Sequence, residues 1–432
     1  MADFARSTHP RVQAQLDRLS KLSPAGDRLG LERINELLDR LGRPQDGLPP
    51  VFHVAGTNGK GSTVAFLRAA LEASGYSVHA FTSPHLVRFN ERIRVAGRLI
   101  DDEQLGALLT EILDASEGIE PSFFEVATAA ALLAFARTPA DACILEVGLG
   151  GRLDSTNVVD RPLVTGIANL ALDHQQFLGH GLTDIAAEKA GIAKHGVPLV
   201  TQLYPPAIGN RISEIAHDEG AQWLPRGGNW DAIVRQGKLH YEDGQGGLEL
   251  PLPRLRGRHQ AMNAALAVAM LRHQTVLHIR PSSLNAALGW ADWPARLQHL
   301  TTGPLVQGRE VWLDGGHNPS AARQVAGFVK HQFAEGTPLH IIFASLASKD
   351  PSGMLEPFAG MVARVHTVAI PDHASFAPEE LSDIAGQLGF AAESHDSVEE
   401  ALAAIPDNAR VLIFGSLYLA GKVLAANDQL PD

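Results

Sequence analysis

Short apolar runs alternate with amphipathic stretches along most of this chain. Val51–Ala55, Ser77–Phe81, Ala142–Val147, Leu163–Ile167 and Pro198–Thr201 read as buried strands. Between them the spacing predicts helices over Gly61–Ser74, Asp101–Glu117, Phe124–Ala136 and Thr183–Lys194. Strand and helix in alternation predict a mostly parallel sheet with helices on both faces, an α/β fold. Two further helices, Val12–Leu22 and Leu31–Leu41, precede the first strand. From Gly227 to Leu250 the rhythm breaks into Gly-rich pieces that predict short surface hairpins. It resumes at Val311–Leu313, Leu339–Phe343, Val365–Ala369 and Val411–Phe414, a smaller C-terminal α/β domain of Rossmann-like kind. The proline-bearing connection Trp293–Gln298, which follows a helix over Ser283–Leu288, marks the expected boundary between domains 1–296 and 297–432.

Composition changes this picture little. The chain has 432 residues, enough for two or three domains, and 45% of them are hydrophobic. A net charge of −12 argues against a nucleic-acid partner that needs its phosphates neutralised. The one cysteine, Cys143, lies inside an apolar run, so no disulfide forms within the chain. No signal-like segment opens the sequence, and the most apolar helix, around Ala261–Leu271, is too short for a bilayer. A cytoplasmic protein without a membrane partner is expected.

Chemistry enters at the strand ends, where ligand sites lie in such folds. Val51–Ala55 runs into Gly56-Thr57-Asn58-Gly59-Lys60-Gly61-Ser62-Thr63 and then directly into a helical pattern. A glycine-rich turn leading into a helix N-terminus presents backbone N–H groups to anionic oxygens. Lysine adds a point charge, and the hydroxyls can reach Mg²⁺. Gly61 separates Lys60 from Ser62 and departs from the general pattern of such phosphate loops, but the context still predicts a bound nucleoside triphosphate. Glu146 ends the run Ala142–Leu145 with glycines after it, the place for a Mg²⁺ carboxylate; an ion pair with Arg152 is the alternative. Ser83, before Pro84, is either a ligand or a turn serine. His174 could ligate a metal and Lys189 could approach phosphates, although both residue types are commonly just solvated. His259 and Asn263 fall four apart on one helix face, as nucleotide contacts or as capping and surface residues. In the second domain Asp314-Gly315-Gly316-His317-Asn318-Pro319 crowds a strand end; a simple turn would use most of these residues but not His317.

Together these stretches resemble the folylpolyglutamate synthase/dihydrofolate synthase family, relatives of the Mur peptide ligases. The likeness rests on Ala55–Ser62, Thr82–Leu86, Phe89–Ile93, Ser122–Glu125, Glu146–Asn157, Asp173-His174 and Glu188–Ile192. It continues through Gly257–Ala265, Arg296–Gln298, Asp314–Pro319 and Gly415–Gly421, in one order from about Arg28 to Lys422. The additional Gly61 is what this family has. The resemblance implies an ATP-dependent amide ligase that adds L-glutamate to dihydropteroate, to reduced folates, or to both, through an acyl phosphate. It implies that Gly59, Lys60, Gly61 and Ser62 hold phosphates, that Ser83 and Glu146 ligate one Mg²⁺, and that His174 ligates a second. Lys189 matches a lysine carbamylated in the family, which makes it a metal-facing carboxylate. Asn263, Arg296 and Asp314 match ATP contacts, with ATP held between the domains, and His317 and Ser416 face the acyl phosphate or glutamate. Arg28, Leu29, Gly30, Leu31, Ser122, Phe123, Phe124, Glu125, Leu153, Asp154 and Ser155 match pterin-binding segments. Ser155 stands where the family often has alanine. Phe124 offers a face on which a flat ring can stack. A monomer is implied as well. A different Mur-type amino-acid ligase and, in another class, a nucleotide-dependent switch are the competing readings. The roughly fifty residues before the first strand are fewer than the additional N-terminal domain usual in Mur ligases would need, and a switch would have no use for His174, Lys189 or His317.

Overall fold

The computed structural model describes residues 5–22, 29–333 and 337–432. The chain divides into two compact units, one formed by 1–254 with 260–292 and the other by 255–259 with 293–432. The second unit thus takes a short piece of chain from the middle of the first, which a single cut in the sequence does not anticipate.

In the first unit the strands are β1 (Val51–Ala55), β2 (Val78–Phe81), β3 (Ile93–Val95), β4 (Arg98–Leu99), β5 (Ala142–Glu146), β6 (Val164–Ile167), β7 (Pro198–Thr201) and β8 (Gln222–Pro225). They form one sheet in the order β4-β3-β2-β5-β1-β6-β7-β8. From β2 to β8 every neighbouring pair is parallel, and only β3 and β4 run antiparallel at the edge. β3, β4 and β8 carry too few apolar residues to be read from the sequence. The central strands β1 and β5 are buried at every position, which is why they read as unbroken apolar runs.

The helix Phe123–Arg137 is buried from Glu125 to Phe135 and lies inside a core with Val12, Leu16 and Leu19 of the helix Pro10–Leu22. Each large apolar side chain buried there contributes about 1.5–3 kcal/mol. The helix expected over Thr183–Lys194 stops earlier, spanning Leu182–Ala190. Asn157 Nδ2 donates to Gly191 O at 3.1 Å and to Arg152 O at 3.0 Å, pinning the chain where the helix ends. The Gly-rich stretch forms an antiparallel meander of β9 (Trp230–Arg235), β10 (Lys238–Asp243) and β11 (Gly246–Pro251). Gln236 and Gly237, with φ of 52° and 74°, make the tight turn between β9 and β10.

The second unit contains β12 (Gln298–Leu300), β13 (Glu310–Asp314), β14 (Leu339–Phe343), β15 (Arg364–Thr367), β16 (Ala392–Ser394) and β17 (Arg410–Phe414) in the order β12-β13-β17-β14-β15-β16. Only β12 is antiparallel to its neighbour. Its core joins Ile341, Phe343, Leu412 and Phe414 from the strands to Ala322, Val325 and Val329 of the helix Pro319–Gln332. Among the described residues no helix is long and apolar enough to cross a membrane.

Candidate active site

β1 delivers the chain into the glycine-rich turn, and the helix Lys60–Ala73 begins at once, with no side-chain cap at its start. Its first N–H groups have no partner within the helix and favour an anion there. The turn is held from the neighbouring strand end: the N–H groups of Thr57 and Asn58 donate to Asn169 O at 2.8 and 3.2 Å. Thr57 Oγ1 donates to Ala171 O at 3.1 Å. Lys60 Nζ folds back over its own turn and donates to Gly56 O at 3.1 Å. Gly61 and Ser62 are buried behind it, and Thr63 Oγ1 donates to Gly59 O at 2.9 Å. Gly59 has φ of 89°, and a Cβ there would overlap the side-chain amide of Asn263. Asn263, on the helix Arg258–Arg272, therefore sits directly against the phosphate turn.

β2 and β5 are neighbours, and β5 lies beside β1, so their carboxyl ends open beside the turn. The Ser83 N–H donates to Glu146 Oε2 at 3.3 Å, which places a hydroxyl-bearing residue against a carboxylate only 4% exposed. Hard oxygen donors next to a phosphate turn suit Mg²⁺. Past β6, the His174 N–H donates to Asp173 Oδ1 at 2.9 Å, and His174 itself is left-handed with φ of 50°. Lys189 is 4% exposed. Burial first, and then the charge of Lys60, push its ammonium down to about 7, against the pull of Asp173, Asp154 and Glu188. Lys189 and the phosphate-turn lysine thus feel each other's field in one region. Phe124 lies over Gly148, two residues past Glu146; a Cβ on Gly148 would stand 2.7 Å from its Cε2.

The other residues expected at the pterin separate into two kinds. Arg28 lies outside the described residues. Leu29, Gly30, Leu31, Phe124 and Leu153 are half-buried. Ser122 and Glu125 instead form a capping box: Ser122 Oγ accepts from Glu125 N at 3.2 Å, and Glu125 Oε2 accepts from Ser122 N at 2.6 Å. Glu125 also pairs with Arg33 Nε at 3.1 Å. Phe123 packs edge-on to Phe89 with Arg92 over its face. Asp154 is buried and accepts from Leu149 N at 2.8 Å and Thr156 N at 2.9 Å, beside buried Ser155. These hydrogen bonds brace Ser122, Glu125 and Asp154 within the wall they form.

In the second unit Asp314 ends β13 and is buried. It accepts from Leu297 N at 2.8 Å and Gly316 N at 2.7 Å. Burial raises its carboxyl above the usual range, while Arg296 pulls the other way. Arg296 Nη1 donates to Ala295 O at 2.9 Å, and His317 Nδ1 lies 3.1 Å from Gly315 O. Ser416 follows β17, the partner of β13, and its Oγ accepts from Tyr418 N at 3.1 Å. Arg296, Asp314, His317 and Ser416 are therefore brought to one end of this sheet.

Residues 54–271 match the Mur ligase middle domain, and residues 304–426 match the dihydrofolate synthetase C-terminal domain. The dihydrofolate synthase/folylpolyglutamate synthase of Bacillus subtilis (strain 168) is 36% identical over 423 residues, covering 92% of this chain and 95% of that one. The chain belongs to the dihydrofolate synthase/folylpolyglutamate synthase family. It is an ATP-dependent ligase. The structure of E. coli FolC in complex with DHPP and ADP superposes with a TM-score of 0.88 at 32% identity, covering 98% and 99% of the two chains. The bifunctional folylpolyglutamate synthase/dihydrofolate synthase from Yersinia pestis, complexed with AMPPNP and Mn ion, gives 0.85 at 31% identity, covering 98% and 99%.

Within this ligase fold, two further residues hold the site together. Asn169 anchors both turn amides through its carbonyl, a role its side chain does not advertise. His53 sits mid-strand in β1, with Nε2 2.8 Å from Thr156 Oγ1, and Thr156 in turn bonds Asp154. Burial pushes the His53 imidazole down to about 3, so it stays neutral and ties the strand feeding the phosphate turn to the Asp154 loop. One polar residue in the run Val51-Phe52-His53-Val54-Ala55 was the available signal.

Proposed function

We propose that this ligase joins L-glutamate to the free carboxylate of dihydropteroate and of reduced folates, with ATP as the activating substrate. The convergence of the Lys60 turn, Glu146 with Ser83, and the buried Lys189 amine at one end of one sheet carries this reading. A carboxylate oxygen of the acid attacks the γ-phosphorus, the bond to the bridging oxygen breaks, and ADP leaves. The amine of L-glutamate then attacks the acyl carbon. The bond to phosphate breaks, the nitrogen loses a proton, and an amide remains. Anionic groups converge in the first step, so the barrier falls with the positive field at that point. Lys60 and the turn amides hold the transferring phosphates, with Asn263 closing over Gly59. Ser83, Glu146 and His174 would hold Mg²⁺, which supplies positive charge between the two anions. Lys189, brought down to about 7, is neutral in a substantial fraction of molecules near pH 7, and the neutral amine is the form that adds CO₂: its nitrogen bonds the carbon, a proton is released, and a carbamate anion results. That change supports the carbamate reading, because an ammonium beside metal ligands would be repelled. Phe124 offers its ring to the flat pterin or aminobenzoate. In the second unit, Arg296 and Asp314 are assigned to the nucleotide and His317 and Ser416 to the reacting acid and amine. A cytoplasmic monomer belongs to the same reading.

Phosphate release from ATP, Mg²⁺ and L-glutamate is the test, with 7,8-dihydropteroate compared against a tetrahydrofolate. Turnover with both acids is expected. Turnover with tetrahydrofolate alone restricts the enzyme to tail extension, and no acid-dependent release with either overturns the folate assignment.

A further inference from the structure

Three histidines on consecutive strands of the second unit form a ladder that the ligase chemistry does not use. His340 lies on β14, His366 on β15, and His395 immediately after β16. Val365 packs with Leu381 and Ala385 of the helix Pro378–Gln387, so its neighbour His366 points to the opposite face of the sheet. His340 Nδ1 is 2.9 Å from His366 Nε2, and His366 Nδ1 is 2.9 Å from His395 Nε2. The rings stack, with centroids 5.2 and 5.1 Å apart. All three are buried. Glu393 is the register partner of His366 and stands two residues before His395, which puts its carboxylate on the same face. One donor atom from each of His366, Glu393 and His395 falls within 4.8 Å of the others.

The geometry points to a binding site for Zn²⁺, or a divalent ion of similar softness, formed by His366 Nδ1, His395 Nε2 and the Glu393 carboxylate. Two imidazoles and one carboxylate are a donor set such ions favour. At metal–nitrogen distances of about 2.0–2.1 Å, tetrahedral ligation places two ring nitrogens about 3.3 Å apart. The observed 2.9 Å therefore opens by only a few tenths of an ångström. His340 supplies the partner a ligating histidine ordinarily has: with the proton of His366 on Nε2 and directed at His340 Nδ1, the Nδ1 lone pair is left for the metal. The proton shared between His366 and His395 moves to His395 Nδ1 when the ion takes its place, and both rings remain neutral. Glu393 gives up little on turning to the ion, since its pairing with Arg364 at 3.4 Å is exposed on both sides. β16 is a three-residue strand at the edge of the sheet, at the other side from β13. An ion joining β15 to the end of β16 would fasten that edge.

The full-length chain, stripped of metal by a chelator, is titrated with Zn²⁺ in saturating Mg²⁺ and ADP. Binding is followed by calorimetry, the thermal midpoint is recorded, and Co²⁺ serves as the absorbing substitute. One Zn²⁺ per chain and a midpoint that rises with Zn²⁺ are expected, together with the intense visible absorption of tetrahedral Co²⁺. Glu393→Gln, at an exposed position that does not endanger folding, and His395→Gln should each weaken Zn²⁺ by more than about tenfold. Glu146→Gln should leave this Zn²⁺ bound. Absence of Zn²⁺ binding would overturn the site, as would equal affinity in Glu393→Gln, His395→Gln and the parent, or binding that vanishes with Glu146→Gln.

Discussion

Replacing Lys189 with methionine should separate stability from activity. Methionine keeps most of the length of the side chain but neither titrates nor takes up CO₂. In the unfolded chain Lys189 holds its proton up to about 10.5, whereas burial and Lys60 bring it to about 7 in the folded state. At 1.36 kcal/mol per pH unit, carrying that charge in the interior costs the folded chain about 5 kcal/mol, to order of magnitude. The sign follows from proton counts. Between 7 and 10.5 the unfolded state binds the proton that the folded state has lost, so stability rises with pH across that window. Below 7 both states hold the proton and the cost is complete. Lys189→Met lacks this dependence. In CO₂-free buffer, urea unfolding should show the parent gaining about 2–3 kcal/mol on the variant between pH 7 and pH 9. The variant should be the more stable chain at pH 6. Acid-dependent phosphate release should nevertheless fall by roughly 10²–10³, the loss expected when a group organising the field of the transition state is removed. Parallel pH dependence of the two chains would refute the burial argument, and undiminished turnover would refute the catalytic role.

Four further substitutions probe the site. Gly59→Ala forces a left-handed backbone position and drives a methyl into Asn263, so the KM for ATP should rise by more than about tenfold; adding Asn263→Ala should recover part of that loss, as a double-mutant cycle of ATP KM values would show. Phe124→Ala should raise the KM for the pterin acid by about 10- to 100-fold, the equivalent of roughly 1.5–3 kcal/mol of lost stacking and burial, with the KM for ATP unmoved in steady-state kinetics. Glu125→Gln keeps an acceptor for the Ser122 N–H but loses the ion pair with Arg33, so urea unfolding should show a stability loss of about 1–2 kcal/mol; a KM for the acid that rises more than about tenfold would mark Glu125 as a direct contact.

Much of this molecule is written locally. β1 and β5 read as strands because both faces are covered and every residue is apolar or buried. The phosphate turn reads as a turn because only glycine accepts the φ of 89° at position 59. Lys60, Glu146, His174, Asp314 and His317 stand out because strand ends are where such folds place ligands, and a polar residue after an apolar run is visible in one dimension. What the tertiary structure decided is where each polar side chain directs its hydrogen bonds. Ser122 and Glu125 satisfy a helix end, because orphan N–H groups there need an acceptor, and nothing in their local sequence alone tells which N–H each one serves. Asp154 likewise serves Leu149 and Thr156. The short strands β3, β4, β8 and β16, at or next to the sheet edges, gain their form from a neighbour's backbone and not from their own side chains. Lys189 is an ordinary helical lysine until the fold buries it near Lys60 and alters its proton affinity. His340, His366 and His395 lie far apart along the chain and carry no local pattern; parallel strand register alone sets their ring nitrogens at bonding distance. Sequence determines the elements and the chemistry available at their ends, because both follow from near neighbours. Burial, charge and donor geometry arise between residues remote in the chain, and only the packed sheets bring these together.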